Sequence, residues 1–165
     1  MLQIFDLKDY PQFIAPLAQW HFAEWSYLHP DYTLDQLAQE MQQYFSPQLL
    51  PSMFILLNQQ QELLGSASLV AHDLGSRPEF SPWLANVFVH PAYRGQGLGR
   101  RLVLFIQQQA QRAGIGQLYL FTANQMDFYR SLGWQMLDTE QVQGTCQTIM
   151  RLDLSTVDTA MLDQA

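Results

Sequence analysis

Apolar residues along this chain fall into short runs broken by glycine, proline and polar clusters, and the spacing within each run gives its element. Leu2 to Leu7 alternates weakly and predicts an edge strand. From Tyr10 to Leu28 the apolar positions Phe13, Leu17, Trp20 and Trp25 recur at helical spacing, predicting a helix interrupted or started at Pro16. Thr33 and Gln36 fit a capping box, in which hydroxyl and amide side chains satisfy early backbone N–H groups. The helix they open should reach about Phe45 and stop before Pro47.

Beyond residue 50 the period shortens. Met53–Leu57 and Leu63–Val70 read as antiparallel strands joined across a glutamine-rich hairpin, and Asp73–Pro82 reads as an exposed loop. Trp83–Val89 predicts a buried strand ended by Pro91. Leu98–Ala113 has an apolar helical face (Leu102, Phe105, Ile106, Ala113) opposite Gln107, Gln108, Gln111 and Arg112, with Gly114 as its stop. Gln117–Phe121 predicts a strand, Gln125–Leu132 a short helix stopped by Gly133, and Trp134–Leu137 and Thr148–Leu154 two more strands. The tail after Ser155 is expected to be mobile. This order predicts an α+β fold: a mixed, mostly antiparallel sheet of six or seven strands flanked by helices. The strands at 84–89 and 117–121 are joined by a helical crossover and should lie parallel.

Length and composition fit one domain over residues 1–165. The apolar fraction of 48% with 13% aromatic residues supports a packed core. The net charge of −7 argues against nucleic-acid or anionic-membrane partners and favours neutral or cationic ones. Cys146 is the only cysteine, and His21, His29, His72 and His90 share no ligand spacing, so no metal site is expected. Neither a signal peptide nor a run of roughly 20 apolar residues is visible, and a cytoplasmic location is expected.

Chemistry concentrates in Val87-Phe88-Val89-His90-Pro91-Ala92-Tyr93-Arg94-Gly95-Gln96-Gly97-Leu98-Gly99-Arg100-Arg101-Leu102, a buried strand passing through a glycine-rich loop into a helix. That order gathers unpaired N–H groups, a helix dipole and arginines at one point, an anion site. A nucleotide P-loop needs a lysine that is absent here, and a dinucleotide fingerprint would need glycine where Arg100 stands. A purely structural turn remains the alternative.

Val89-x-Pro91-x-x-Arg94-Gly95-x-Gly97-Leu98-Gly99 before a helix resembles the coenzyme A signature of the GNAT superfamily of N-acetyltransferases. Phe128-Tyr129-x-x-Leu132-Gly133-Trp134 resembles the family's terminal motif, and Thr122–Trp134 is similar to a branch that includes actin-type N-terminal acetyltransferases. The resemblance covers roughly residues 50–152. It implies the GNAT fold, with acceptor-side helices in 1–50, an acetyl-CoA-binding core in 51–154 and a tail from 155 to 165. It further implies that acetyl-CoA is the co-substrate and that no metal takes part.

Backbone groups of Val87, Phe88 and Val89 would then bond the pantetheine arm and acetyl carbonyl, and Arg94, Gly95, Gln96, Gly97, Leu98, Gly99 and Arg100 would hold the diphosphate. Tyr129 falls on the position whose phenol protonates the departing thiolate in many members; its structural alternative is a core aromatic with a satisfied hydroxyl. Many members carry an asparagine seven residues before that tyrosine, where Thr122 stands, so Asn124 is an imperfect match for a cofactor contact. The usual strand glutamate is replaced by Ala85. A proton acceptor must come from elsewhere: Glu24 as the base, with His21 and the His72-Asp73 pair as further candidates. Each also has a plain structural role open to it. Trp20, His21, Trp25 and His72 are candidate acceptor-binding residues. The implied reaction moves an acetyl group to a primary amine, on a small molecule or a peptide α-amine, by a monomer or homodimer. The alternative is a catalytically silent acetyl-CoA sensor that binds a protein partner.

Overall fold

The computed structural model describes residues 1–157. It contains one seven-stranded sheet, ordered β1-β2-β3-β4-β5-β7-β6. The strands are β1 (Gln3–Asp6), β2 (Ser52–Leu57), β3 (Leu63–Val70), β4 (Trp83–Val89), β5 (Gln117–Thr122), β6 (Gln135–Val142) and β7 (Thr145–Asp153). Every neighbouring pair is antiparallel except β4 and β5, which are parallel as the crossover required.

Two helices cover each face. α1 (Ile14–Trp25) and α2 (Leu34–Glu40) close over Met53, Ile55, Leu57 and Trp83; α3 (Leu98–Arg112) and α4 (Met126–Arg130) close over Phe54, Leu56, Leu69 and Leu120. The alternation Met53/Ile55/Leu57 against Phe54/Leu56 is the period-two pattern of a strand buried on both sides.

α1 begins at Ile14 rather than Pro16, because proline in the first turn gives up an N–H that has no intrahelical partner anyway. The Thr33–Gln36 capping box forms as expected, with Gln36 N–H donating to Thr33 Oγ1 and Thr33 N–H to Gln36 Oε1. α2 stops at Glu40 and tightens into a 3-10 turn over Met41–Tyr44 instead of continuing to Phe45.

Four expectations need correction. β6 runs to Val142 and β7 starts at Thr145: β6 is an edge strand exposed along most of its length, so Asp138–Gln141 carries no apolar alternation to betray it. Gln143 and Gly144 both have positive φ (49° and 75°), as a two-residue hairpin turn demands. The 73–82 loop is not simply exposed, since Leu74 is buried, Phe80 stacks on Tyr119 at 4.7 Å and Arg77 bridges to Asp138 and Glu140 on β6. Gln107 lies on the buried side of α3 rather than its polar face. Of the tail taken as mobile, Ser155 and Thr156 lie in a 3-10 turn, and residues 158–165 lie outside the described residues.

β4 and β5 pair at a single register, Trp83 with Tyr119, where Tyr119 N–H donates to the Pro82 carbonyl at 3.0 Å. Beyond that point they diverge, opening the sheet between Val87–Val89 on one side and Phe121–Thr122 on the other. On its other edge β4 is tied closely to β3 at Gly65, where a Cβ would press into the Phe88 carbonyl oxygen and meet Leu102 Cδ1 at 3.2 Å. Gly65→Ala is therefore expected to destabilise by about 1–3 kcal/mol through overpacking, lowering Tm by roughly 2–12 °C. Thermal unfolding followed by circular dichroism checks this, and an unchanged Tm would contradict the close approach.

Candidate functional site

A cavity of about 1150 Å³ occupies the gap between β4 and β5 and continues beneath α1 and α2. One end is the glycine loop. Gly95 and Gly97 both sit at φ 77°, the left-handed region that other residues reach only with strain, and Gly97 is the N-cap of α3. It offers no side chain to the helix, whose first intrahelical bond is Arg101 N–H to the Gly97 carbonyl at 3.1 Å. The N–H groups of Leu98, Gly99 and Arg100 are therefore left for a ligand, at the positive end of a fifteen-residue helix.

The middle of the cavity is shaped by a β-bulge. Ser66 pairs with Phe88 and Ser68 with Ala85, so Ala67 alone stands opposite both Asn86 and Val87. Asn86 takes φ 52°, a left-handed conformation for which asparagine is among the few tolerant side chains. The bulge lifts this part of β4 out of the ladder with β3 and re-aims it into the cavity.

Buried polar side chains fix the bulge in place. Asn86 Nδ2 donates to Ser68 Oγ at 2.8 Å and to Tyr44 Oη at 3.2 Å, while Ser68 Oγ donates to the Ala85 carbonyl at 3.0 Å. Ser66 Oγ donates to the Asn86 carbonyl at 3.2 Å and lies 2.9 Å from His21 Nε2. A hydroxyl has one proton, so Ser66 must accept from His21, which sets the Nε2–H tautomer. Burial drives the His21 pKa down to about 3, and the ring is neutral.

Tyr129, on α4, is buried in the cavity wall, and its hydroxyl makes no hydrogen bond among the described residues. Burial pushes its phenol well above the ordinary 10. Toward α1 and α2 the lining turns acidic, with Glu24, Glu40 and Asp73. Glu24 is about half exposed and lies 3.8 Å from the Arg94 guanidinium; Glu40 is exposed and accepts from the Tyr32 hydroxyl. Asp73 is partly buried, and loss of solvent pushes its carboxyl up to about 7. Tyr44 is pushed up to about 12, chiefly by burial, with a smaller contribution from the charge of Asp73.

The structure brings Val87, Phe88, Val89, Arg94, Gly95, Gly97, Leu98, Gly99, Arg100, Asn124 and Tyr129 to this one cavity, together with His21, Glu24, Trp25 and His72. Gln96 and Trp20 do not line it; Trp20 packs on Phe88 and His90 at ring separations of 5.4 and 4.9 Å, a core position. Thr122 Oγ1 accepts from Gln125 N–H at 3.1 Å and so braces the turn that leads into α4. Sequence reasoning missed Tyr44, Asn86, Ser66 and Ser68. The one available signal was an asparagine inside the apolar run Trp83–Val89, a residue type suited to a bulge.

The Acetyltransferase (GNAT) family matches residues 14–134, and the chain belongs to it. Histone acetyltransferase TAP1 of Glycine max is 34% identical over 88 residues, 53% of this chain and 36% of that protein. N-alpha-acetyltransferase 80 of Mus musculus is 34% identical over 110 residues, 65% of this chain and 34% of that protein. The chain thus spans about a third of the length of these curated relatives. In fold it resembles an aminoglycoside 6'-N-acetyltransferase complexed with coenzyme A, with a TM-score of 0.72 at 17% identity, covering 93% of this chain and 97% of that one.

The His21 environment makes a pH prediction. The folded pKa near 3 lies below the ordinary 6.5, so unfolding takes up a proton between these values. Stability from this site is whole above pH 6.5 and is lost as pH falls toward 3, by about 2 kcal/mol between pH 6.5 and about 5 at roughly 1.4 kcal/mol per unit. His21→Gln, which keeps a donor for Ser66 but cannot titrate, should flatten that slope in urea-midpoint measurements against pH. Identical slopes would mean that the ring is not held neutral.

Proposed function

We propose that the chain is an N-acetyltransferase that moves the acetyl group of acetyl-CoA to a primary amine by direct attack. The observation that carries this reading is the gap between β4 and β5. At one end it meets an uncapped helix N-terminus with two left-handed glycines, and a bulged strand and an unpartnered tyrosine line it further in. Such a slot suits a long thin ligand with a phosphate at one end and a reactive carbonyl at the other.

In this reading the N–H groups of Leu98, Gly99 and Arg100 take the diphosphate, with the Arg100 side chain beside it. The pantetheine arm lies along Val87–Val89, continuing the sheet where β5 has left it. Backbone N–H at the bulge faces the thioester carbonyl and gains strength as that oxygen becomes anionic, which is where catalysis draws most from fixed dipoles. The amine nitrogen attacks the carbonyl carbon, the C–N bond forms and the C–S bond breaks. The thiolate then takes the Tyr129 phenolic proton. Burial keeps that phenol protonated until a thiolate appears beside it.

Release of free thiol from acetyl-CoA in the presence of an amine panel tests the activity. Thiol release excludes the silent-sensor alternative, whereas calorimetric binding of coenzyme A without turnover on any amine would favour it. Tyr129→Phe should lower kcat by roughly 10²–10⁴-fold while KM for acetyl-CoA changes by less than about threefold. An unchanged kcat, or an equal loss of both, would remove the tyrosine from the acid role. Asn86→Val, whose β-branched side chain resists positive φ, should lower kcat by at least about tenfold, read in the same assay.

A further inference from the structure

We propose, resting on the acetyl-transfer reading above, that Asp73 is the group that takes the proton from the acceptor amine. The segment after β3 turns Asp73 into the cavity wall, near enough to Tyr44 for its charge to act on that hydroxyl. Tyr44 in turn receives Asn86 Nδ2 at 3.2 Å, and Asn86 is the bulge residue. The carboxyl and the strand distortion thus both act on the Tyr44 hydroxyl, one through its charge and the other through a hydrogen bond.

The other candidates are committed elsewhere. Glu24 faces Arg94 at 3.8 Å with both side chains about half exposed, Glu40 accepts from Tyr32, and His21 is held neutral by burial with a pKa near 3, too weak a base for an ammonium. His72 is exposed. Asp73 accepts no hydrogen bond and forms no ion pair among the described residues. A partly buried carboxyl without a partner costs the fold stability, which a merely structural residue would have no reason to do.

Facing groups that could compete for the proton are Tyr44 and Glu40 from residues 40–44, Glu24 and His21 from α1, and His72 on the same segment. Desolvation alone accounts for a carboxyl held near 7. That value matches an α-ammonium near 7.7, whereas a lysine-type ammonium near 10.4 is roughly a thousandfold harder to deprotonate by it. The step balances as follows. R–NH3⁺ gives one proton to the Asp73 carboxylate, leaving R–NH2 and a carboxylic acid. R–NH2 attacks, C–N forms and C–S breaks. The nitrogen's second proton passes through solvent to replace the one Tyr129 gave to the thiolate, and Asp73 returns its proton to water.

The test uses the full chain with acetyl-CoA and two probe amines, triglycine amide and n-butylamine, together with thermal unfolding at pH 8. Wild type should acetylate triglycine amide in preference to n-butylamine, with a low-pH limb in kcat near pH 7. Asp73→Asn should lower kcat by roughly 10²-fold with KM for acetyl-CoA within about twofold, and should lose that limb; Asp73→Glu should restore part of the rate. Because a raised folded pKa removes stability as pH rises through it, Asp73→Asn should also unfold at a higher temperature than wild type at pH 8. Wild-type turnover left intact by Asp73→Asn, or a low-pH limb that survives it, overturns the role of Asp73 alone. Absence of wild-type turnover on both amines tells against the acetyl-transfer reading, and a lower Tm for Asp73→Asn at pH 8 marks the residue as structural and overturns the proposal.

Discussion

The bulge at Asn86 is the constraint on which the rest of the structure depends. A regular β4 would keep its ladder with β3 and could run alongside β5 for its whole length, giving a closed sheet with no slot. One extra residue bends the strand, and β4 then meets β5 only at Trp83 and Tyr119. Paying for a left-handed asparagine in mid-strand takes several compensating bonds, and they are present: Ser66 holds the Asn86 carbonyl, and Ser68 and Tyr44 share its Nδ2. These side chains come from β3 and the 41–44 turn, and His21 on α1 completes the set through Ser66, so the bulge is set by packing on the α1/α2 face. In a low-dielectric interior such a network is worth keeping only when nearly every member is satisfied, which is the case here.

The cavity built around the bulge is electrically graded. Arg94, Arg100 and the α3 N-terminus mark the end toward the glycine loop; Glu24, Glu40 and Asp73 mark the end under α1 and α2. A chain of net charge −7 with one lysine has few cations to place, and two of them stand at this loop. The two ends therefore prefer ligands of opposite charge, which suits a phosphate-bearing donor and a cationic acceptor meeting in the middle. Tyr129 lies on the wall between and Asp73 at the acidic end, both desolvated and without hydrogen-bond or ion-pair partners among the described residues, and both shifted in the direction that keeps a proton on them.

Much of this was legible in the residues. Gly95 and Gly97 marked a glycine loop, which the structure sets at positive φ, the apolar face of α3 gave its length within a residue, and Thr33–Gln36 marked a helix start that the structure reproduces bond for bond. What stayed hidden depends on contacts distant in sequence. Ser66 meets His21 across forty-five residues, and Asn86 meets Tyr44 across forty-two; no local period encodes either. The edge strand β6 was foreseen only as Trp134–Leu137, because it is exposed along most of its length and its polar residues beyond Leu137 alternate with nothing. Gln107 escaped for the opposite reason, as a glutamine on a face that periodicity assigned to solvent, yet wholly buried and without a hydrogen-bond partner.

Arg94 changes the picture of how the slot is prepared. Sequence pattern assigns it to the diphosphate, but in the structure its Nε–H donates to the Val89 carbonyl at 2.9 Å, its guanidinium carbon lies 5.6 Å from the Phe88 ring centroid, and its far nitrogen reaches toward Glu24. The side chain therefore folds back over the strand it follows and links the glycine loop to α1. The exposed pair with Glu24 contributes little by itself. The bond to Val89 matters more, because it fixes the direction in which the chain leaves β4 and so where Gly95 and Gly97 begin. With the loop held from behind, the N–H groups of Leu98, Gly99 and Arg100 are fixed in direction, and under the proposed function a phosphate would not have to order them. In the proposed reading, the arginine in the motif would act on the anion site mainly through the backbone, and the charge meeting a phosphate directly would come from Arg100 and the helix end.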